Sequence, residues 1–434
     1  MTIVERYTGF RKLGFDYFLF FFLVLMMGKG TDFVSNFDPR FFPVSFLVLI
    51  IFTCVLTNRT KRIPMIMSKI VFFIPIVFWI AYHYFDDTSF EYYTYFFFLI
   101  KIYIGCLVAL YYRSRIIEYY AKIIALLAGI SIPFWIIANL IGVENLAHFA
   151  PFNHSLGQGS SFLVYVTLEK YDMANSAEYY SLVRSPGFTW EPGRYASMLV
   201  LAMVCMIIYK KGKIYWNSKE WLFLIIALFS TQSTTGYIAF ISLLGLHYLF
   251  GLNISNVRKL GFLALFSIVV SYAMTLPFMA EKMKHHADQE SWTTESSNSE
   301  NWLNNREQIY TVDRFEGLYL DYLNLQYKPT LGCGLSHFDT YVTQYISDML
   351  TTSNGILCPL SKLGLLLGLP YFILFFVGSK RISDYYDYNN KYLLFAICAI
   401  FQFSYNFMFE IFIYAIAFYP LVSSNNNEQK VYLQ

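Results

Sequence analysis

The chain has 434 residues, of which 56% are hydrophobic and 14% charged, with a formal net charge of +3 and a mean hydropathy of +0.44. A soluble domain of this length would carry on the order of 25% charged residues, so a water-soluble globular enzyme is excluded, and no nucleic acid partner is expected. The apolar residues arrive in blocks near the roughly 17–25 residues a bilayer-crossing helix needs. The expectation is an all-α polytopic membrane protein, one membrane domain over 1–434, with the lipid bilayer around it.

Taken in chain order, spans are expected near 14–29, 41–57, 70–85, 93–112, 122–142, 193–209, 220–235, 236–250, 259–277, 356–378, 391–408 and 409–424. The polar and basic start runs into an apolar stretch without a small-residue cleavage site, which reads as an uncleaved first span. The last two spans depend on QFSYNFMFE, Gln402 to Glu410, which fits either a turn or a polar kink. Two long segments fall outside the spans, 143–192 and 278–355.

Alternate short connections hold the basic residues: Arg6, Arg11 and Lys12; Arg59, Lys61, Arg62 and Lys69; Arg113, Arg115 and Lys122; Lys210, Lys211, Lys213 and Lys219; Arg258 and Lys259; Lys380, Arg381 and Lys391. By the positive-inside rule these are cytoplasmic. Both termini are then inside and both long segments outside. The second long segment is acidic. Its ADQESWTTESSNSENWLNNREQ part has the composition of a polar surface loop, whereas VDRFEGLYLDYLNLQY has the pattern of a helix lying along the interface. There is no internal repeat and no matched pair of broken spans of the transporter kind.

The six cysteines, Cys54, Cys106, Cys205, Cys333, Cys358 and Cys398, show no CxxC and no histidine at zinc-finger spacing. Cys333 and Cys358 are the one pair considered for a disulfide, on a shared face. His285-His286 has no spaced partner and reads as loop. No metal and no cofactor are expected. Lys101 falls mid-span, where an unpaired charge costs roughly 2.5–3.5 kcal/mol on insertion scales; pairing with Glu410 is one solution, snorkelling from a shifted span the other.

Charge crowds the mouth of one span. In RSPGFTWEPGRYASMLVLAMV, Arg184 to Val204, Pro186–Gly187 breaks any helix and Glu191-Pro192-Gly193 reads as a helix start, with proline suited to the first position. Free N–H groups at that end attract anions, phosphate above all. Arg184 and Arg194 flank it with forked donors, each charge pair at about 4 Å contributing on the order of 4 kcal/mol at an effective dielectric near 20, before desolvation. The same residues, taken alone, also fit arginines meeting lipid headgroups and a glutamate that only caps the helix. STQSTTG, Ser230 to Gly236, marks the outer turn of a tight helical hairpin.

RSPGFTWEPGRYA resembles the Arg-x-x-Gly-Phe-x-x-Glu-Pro signature of bacterial O-antigen polymerases (the Wzy type) of the O-antigen ligase/polymerase superfamily. Further segments resemble that family in its order: QSTTGYIAFISLL, then DRF (Asp313–Phe315), then KPTLGCGLSHF (Lys328–Phe338) with its Pro-x-x-Gly-x-Gly run, then TTSNGILCPLSKLGLLLG (Thr351–Gly368) with asparagine and glycine opening a span. The resemblance covers Arg184 to Gly368.

The resemblance implies a GT-C-like membrane glycosyltransferase in the bacterial inner membrane, independent of metal. It would join undecaprenyl-diphosphate-linked oligosaccharide repeats, donor and acceptor alike, on the periplasmic face, with a polysaccharide chain-length regulator as a partner. Arg184 would match the arginine holding the carrier diphosphate and Arg314 the loop arginine working with it. On the residues themselves, Arg194 flanks the same helix start, and Arg306 either joins the cluster or decorates a hydrophilic loop. For the base that takes the acceptor's proton, Glu191 and His337 are the candidates, with Asp313 and Asp339 behind them. Trp190 is the candidate for stacking on a sugar ring, and Asn354 a further substrate contact. The related ligases have His-Asn where this chain has Ser353-Asn354, which favours polymerase over a ligase delivering glycan to a lipid A core. A flippase would need charge along several spans, whereas here it gathers on two outer loops.

Overall fold

The computed structural model describes residues 3–28, 48–49, 51–52, 73–86, 90–148, 152–153, 159–162, 164–168, 183–252, 255–261, 314–336, 338–346, 350 and 355–422. Most of these are helical. The helices are α1 (Ile3–Gly28), α2 (Ile74–Asp86), α3 (Tyr92–Tyr112), α4 (Ile116–Ile141), α5 (Val143–His148), α6 (Pro192–Tyr209), α7 (Lys219–Thr231), α8 (Thr234–Leu246), α9 (Arg314–Tyr327), α10 (Tyr341–Tyr345), α11 (Cys358–Tyr385), α12 (Leu393–Gln402) and α13 (Ile411–Val422). Among the described residues, four stretches are long and apolar enough to cross a membrane: Tyr92–Ile141, Pro192–Tyr209, Thr234–Gly251 and Cys358–Tyr385. Shorter apolar helices are Gly14–Gly28, Leu393–Gln402 and Ile411–Val422. The expected spans 41–57 and 259–277 lie largely outside the described residues.

Local chemistry explains where several helices begin. Pro192 opens α6 behind Glu191, since its missing N–H costs nothing there. The Ser218 hydroxyl accepts from Trp221 N at the start of α7, and Ser233 from Gly236 N at the start of α8, the usual hydroxyl cap. Between these two helices Gln232 sits in the left-handed region at φ +48° and closes the hairpin turn. Helix α4 starts earlier than expected, at Ile116, because Arg113–Arg115 winds as a 3-10 turn directly into it.

Nearly every residue of α6 is buried, and such a helix, apolar all round, belongs in the centre of a bundle. α4, α7, α8 and α12 pack around it. Hydrogen bonds sort the connections into two ends. One end joins Met27, Asp86, 183–194, 230–235, 328–335, Gly355 and 402–410. The other joins Asp16, 112–122, 246–251, 381–391 and Pro420. The basic groups Arg113, Arg115, Lys122, Arg381 and Lys391 collect at this second end.

Three details differ from, or decide between, the expectations. QFSYNFMFE is a turn: α12 stops at Gln402 and α13 starts at Ile411. The first long segment is not purely helical, since β1 (Phe152–Asn153), β2 (Gly159–Phe162) and β3 (Tyr165–Leu168) form an antiparallel sheet of order β1-β2-β3, with Gly159 opposite Leu168 and Phe152 opposite Ser161. Cys333 and Cys358 are free thiols; Cys333 donates to Asn324 O, and Cys358 Sγ accepts from Asn406 Nδ2.

Helix α11 is broken. Gly364 has φ 68° and ψ 176°, a conformation essentially reserved for glycine. The loop Pro329–Gly334 lies against the break, with Cys333 N and Gly334 N donating to Ser361 O and Lys362 O, and Leu365 N and Leu366 N donating to Pro329 O and Thr330 O. Two carbonyls and two N–H groups opened by the break thereby find partners in the loop, as an apolar surrounding demands. Gly332 and Gly364 meet back to back, and a Cβ on either would strike the other's backbone. This accounts for the glycine in the Pro-x-x-Gly run. Gly364→Ala is expected to cost about 1–3 kcal/mol from the backbone conformation alone, read as lowered resistance to unfolding in detergent; an alanine variant as stable as wild type would contradict the close approach.

Candidate functional site

The stretch Val183–Arg194 is laid across the first end of the bundle and pinned at both flanks. Val183 O accepts from Trp135 Nε1 at 2.7 Å and Val183 N donates to Asn139 Oδ1 at 2.8 Å, so the top of α4 holds one side. Ser185 N donates to Ser230 O at 2.8 Å, and Arg184 Nε to Thr231 O at 3.2 Å, so the α7–α8 turn holds the other. STQSTTG therefore grips the motif through its backbone carbonyls.

The middle of the stretch turns on Gly187, at φ +58°, whose bare Cα faces the Tyr195 ring. Gly187 O takes a hydrogen bond from Val166 N at 2.8 Å, which joins β3 to the motif. Phe188 is buried and meets Tyr195 edge-on at 5.5 Å. The Thr189 hydroxyl lies between Pro186 O and Glu191 O at 2.9 and 2.8 Å. Apolar anchoring of Phe188 thus fixes its neighbours, Trp190 and Glu191, at the surface: Trp190 is 43% exposed, and Glu191 and Arg184 are half-buried.

Glu191 is the N-cap residue of α6, yet its side chain makes no cap hydrogen bond. Its carboxylate instead accepts from the Tyr405 hydroxyl at 2.7 Å. The plain capping role considered from the sequence is therefore not the one this side chain plays.

Arg194, expected beside Arg184 as a direct phosphate contact, is buried. Its Nη2 donates to Met27 O at 2.9 Å and to Glu410 Oε1 at 2.5 Å, and its guanidinium lies 5.0 Å from the Phe407 ring centroid. A forked cation held by a carboxylate, a carbonyl and an aromatic face ties together the end of α1, the start of α6 and the 403–410 turn. The carboxylate considered for Lys101 is thus bonded by Arg194. Tyr405 and Glu410 are the residues that sequence reasoning left out of the site. Their one signal was a polar run, QFSYNFMFE, between two apolar helices.

Arg314 opens α9, as the interfacial pattern of VDRFEGLYLDYLNLQY leads one to expect, but its side chain lies outside the described residues. So do Arg306, His337, Asn354 and Asp313, and so does the Ser353-Asn354 pair. Asp339 is buried. The loop that follows α9 is anchored to α2 and α3: Leu331 O accepts from Trp79 Nε1 at 2.6 Å, Leu335 N donates to the Tyr95 hydroxyl at 3.0 Å, and Lys328 Nζ pairs with Asp86 Oδ2 at 2.7 Å. The Lys328 hydrogen bond holds the Asp86 carboxyl below its ordinary range. No group of histidine, cysteine and carboxylate side chains among the described residues could hold a metal ion.

Compared with known proteins, the chain matches no family model, no curated protein and no solved structure.

Proposed function

We propose that the protein is a GT-C-like membrane glycosyltransferase of twelve spans that polymerises undecaprenyl-diphosphate-linked oligosaccharide repeats. In this reading it lies in the bacterial inner membrane with both termini cytoplasmic, and the first end of the bundle faces the periplasm. The observation that carries the reading is the fold of the Arg184–Arg194 stretch. Its buried phenylalanine and glycine turn set an exposed tryptophan and a carboxylate at the mouth of the central helix, the α7–α8 turn holds Arg184 in the same stretch, and that carboxylate is not used as a helix cap.

The reaction this arrangement suits is direct displacement. The acceptor sugar hydroxyl oxygen forms a bond to the donor's anomeric carbon while the bond from that carbon to the diphosphate oxygen breaks. The carrier diphosphate leaves with the electron pair, and the hydroxyl proton passes to Glu191. Arg184, with Arg314 and Arg306 from the second outer segment, offsets the charge gathering on the leaving diphosphate. Trp190 offers its face to a sugar ring, and Asn354 a polar contact. Arg194 is assigned to the frame that holds the site and not to the diphosphate. His337 is the competing base. A chain-length regulator is the expected protein partner.

The test is the purified protein in nanodiscs with one carrier-linked repeat unit and nothing else. The expected product is a ladder of longer glycans, with Arg184→Ala folded but without detectable extension. A mixture that stays unextended until a lipid A core acceptor is added, and then turns over, would replace polymerisation with ligation. Uptake of intact carrier-linked repeats across the bilayer with no new glycosidic bond would replace both with transport.

A further inference from the structure

Glu191 and Arg194 stand one helical turn apart at the start of α6, and both reach the same partner segment. Glu191 meets Tyr405 and Arg194 meets Glu410. The second contact is a buried ion pair, with both side chains almost wholly out of solvent. The first is different in kind, because Glu191 is half-buried beside the exposed Trp190. A carboxylate at an N-cap normally spends itself on the first-turn N–H groups. Glu191 does not, and its backbone at φ −145° and ψ 134° is extended.

Tyr405 is held for this contact. Its N–H donates to Phe401 O at 2.8 Å and its carbonyl accepts from Phe407 N at 3.0 Å. Its ring and hydroxyl lie over Gly193, where a Cβ would collide with the hydroxyl oxygen. The glycine of Glu-Pro-Gly thus supplies the space through which the hydroxyl reaches Glu191 Oε1. Gly355, from the segment that opens α11, presses on the same place, meeting the Tyr405 carbonyl and the Gln402 side chain.

We propose that Tyr405 is a positioning residue for Glu191: its hydroxyl occupies one carboxylate oxygen and thereby aims the carboxylate at the acceptor sugar hydroxyl, a role that rests on the glycan-polymerising function proposed above. Tyr405 touches no reacting atom. It acts by fixing the place of one Glu191 carboxylate oxygen, and misplacing a catalytic group by about 1 Å can cost on the order of 10²-fold in rate.

Tyr405→Phe tests this, since it keeps the ring over Gly193 and removes only the hydroxyl. In nanodiscs kcat for glycan extension is expected to fall about tenfold or more, as for misplacement of a catalytic group, with KM for the carrier-linked repeat unchanged and the protein still folded. Glu191→Gln/Tyr405→Phe is expected to be no slower than Glu191→Gln alone. Losses that multiply in the double variant would show that Tyr405 acts independently of Glu191 and overturn the proposal. A second readout needs no substrate: the infrared carboxylate stretch of Glu191, isolated as the difference between wild type and Glu191→Gln, should shift in Tyr405→Phe. An unmoved band overturns the proposal whatever the activity. A shifted band in a wild-type protein that never extends a glycan would sink the proposed reaction while leaving the anchoring of Glu191 by Tyr405 in place.

Discussion

Glu410→Ala is expected to destabilise the protein by about 3–5 kcal/mol, the range for removing one partner of a buried ion pair. Arg194 and Glu410 are 2.5 Å apart with side chains 6% and 5% exposed, so neither charge has water to fall back on. Burying each ion costs several kcal/mol. The pair offsets that cost through its mutual attraction, the Met27 carbonyl and the Phe407 ring. Deleting the carboxylate leaves a guanidinium in an apolar site with only one carbonyl and the Phe407 ring among its contacts named above. Arg194→Met/Glu410→Leu should lie much closer to wild type than either single truncation, because no orphaned charge remains. Unfolding in mixed detergent micelles, run as a double-mutant cycle, measures this. Single variants within about 1 kcal/mol of wild type would mean that the pair does not bind α1, α6 and the 403–410 turn together.

Glu191→Gln is expected to slow glycan extension by about 10²–10⁴-fold, the usual contribution of a placed general base, with binding of the carrier-linked repeat little changed. The amide oxygen can still accept from Tyr405, so the local fold should survive, and the loss should appear in kcat rather than KM. His337→Ala is the control that decides between the two candidate bases. Near-normal turnover in Glu191→Gln together with collapse in His337→Ala would move the proton to the histidine.

Much of this site could be read from the sequence because it depends on adjacent residues. Pro192 starts α6 and Gly187 makes the turn before it, since ring closure and a missing Cβ act within a residue or two. The α7–α8 hairpin was marked by its hydroxyl-rich turn, and α9 by its two-faced pattern. The partners of the charged groups could not be read in this way. Arg194 and Glu410 are 216 residues apart, and Glu191 and Tyr405 are 214 apart. Two arginines ten positions apart look alike in a string of letters, and only the packing separates a half-buried Arg184 from a fully buried Arg194. The break at Gly364 was hidden for the same reason, because a glycine in an apolar run does not announce the loop that will lie against it.

The apolar runs that suit a bilayer and the starts of the helices are written in the chain itself. Transfer of apolar runs out of water, and the capping of a helix by its own first residues, act on contiguous residues without reference to neighbours in space. Tertiary structure decided which carboxylate serves as a structural counter-ion and which is held near the surface by a phenol. Those assignments depend on which helices lie side by side, and a buried charge takes its role from whatever the packing places within reach.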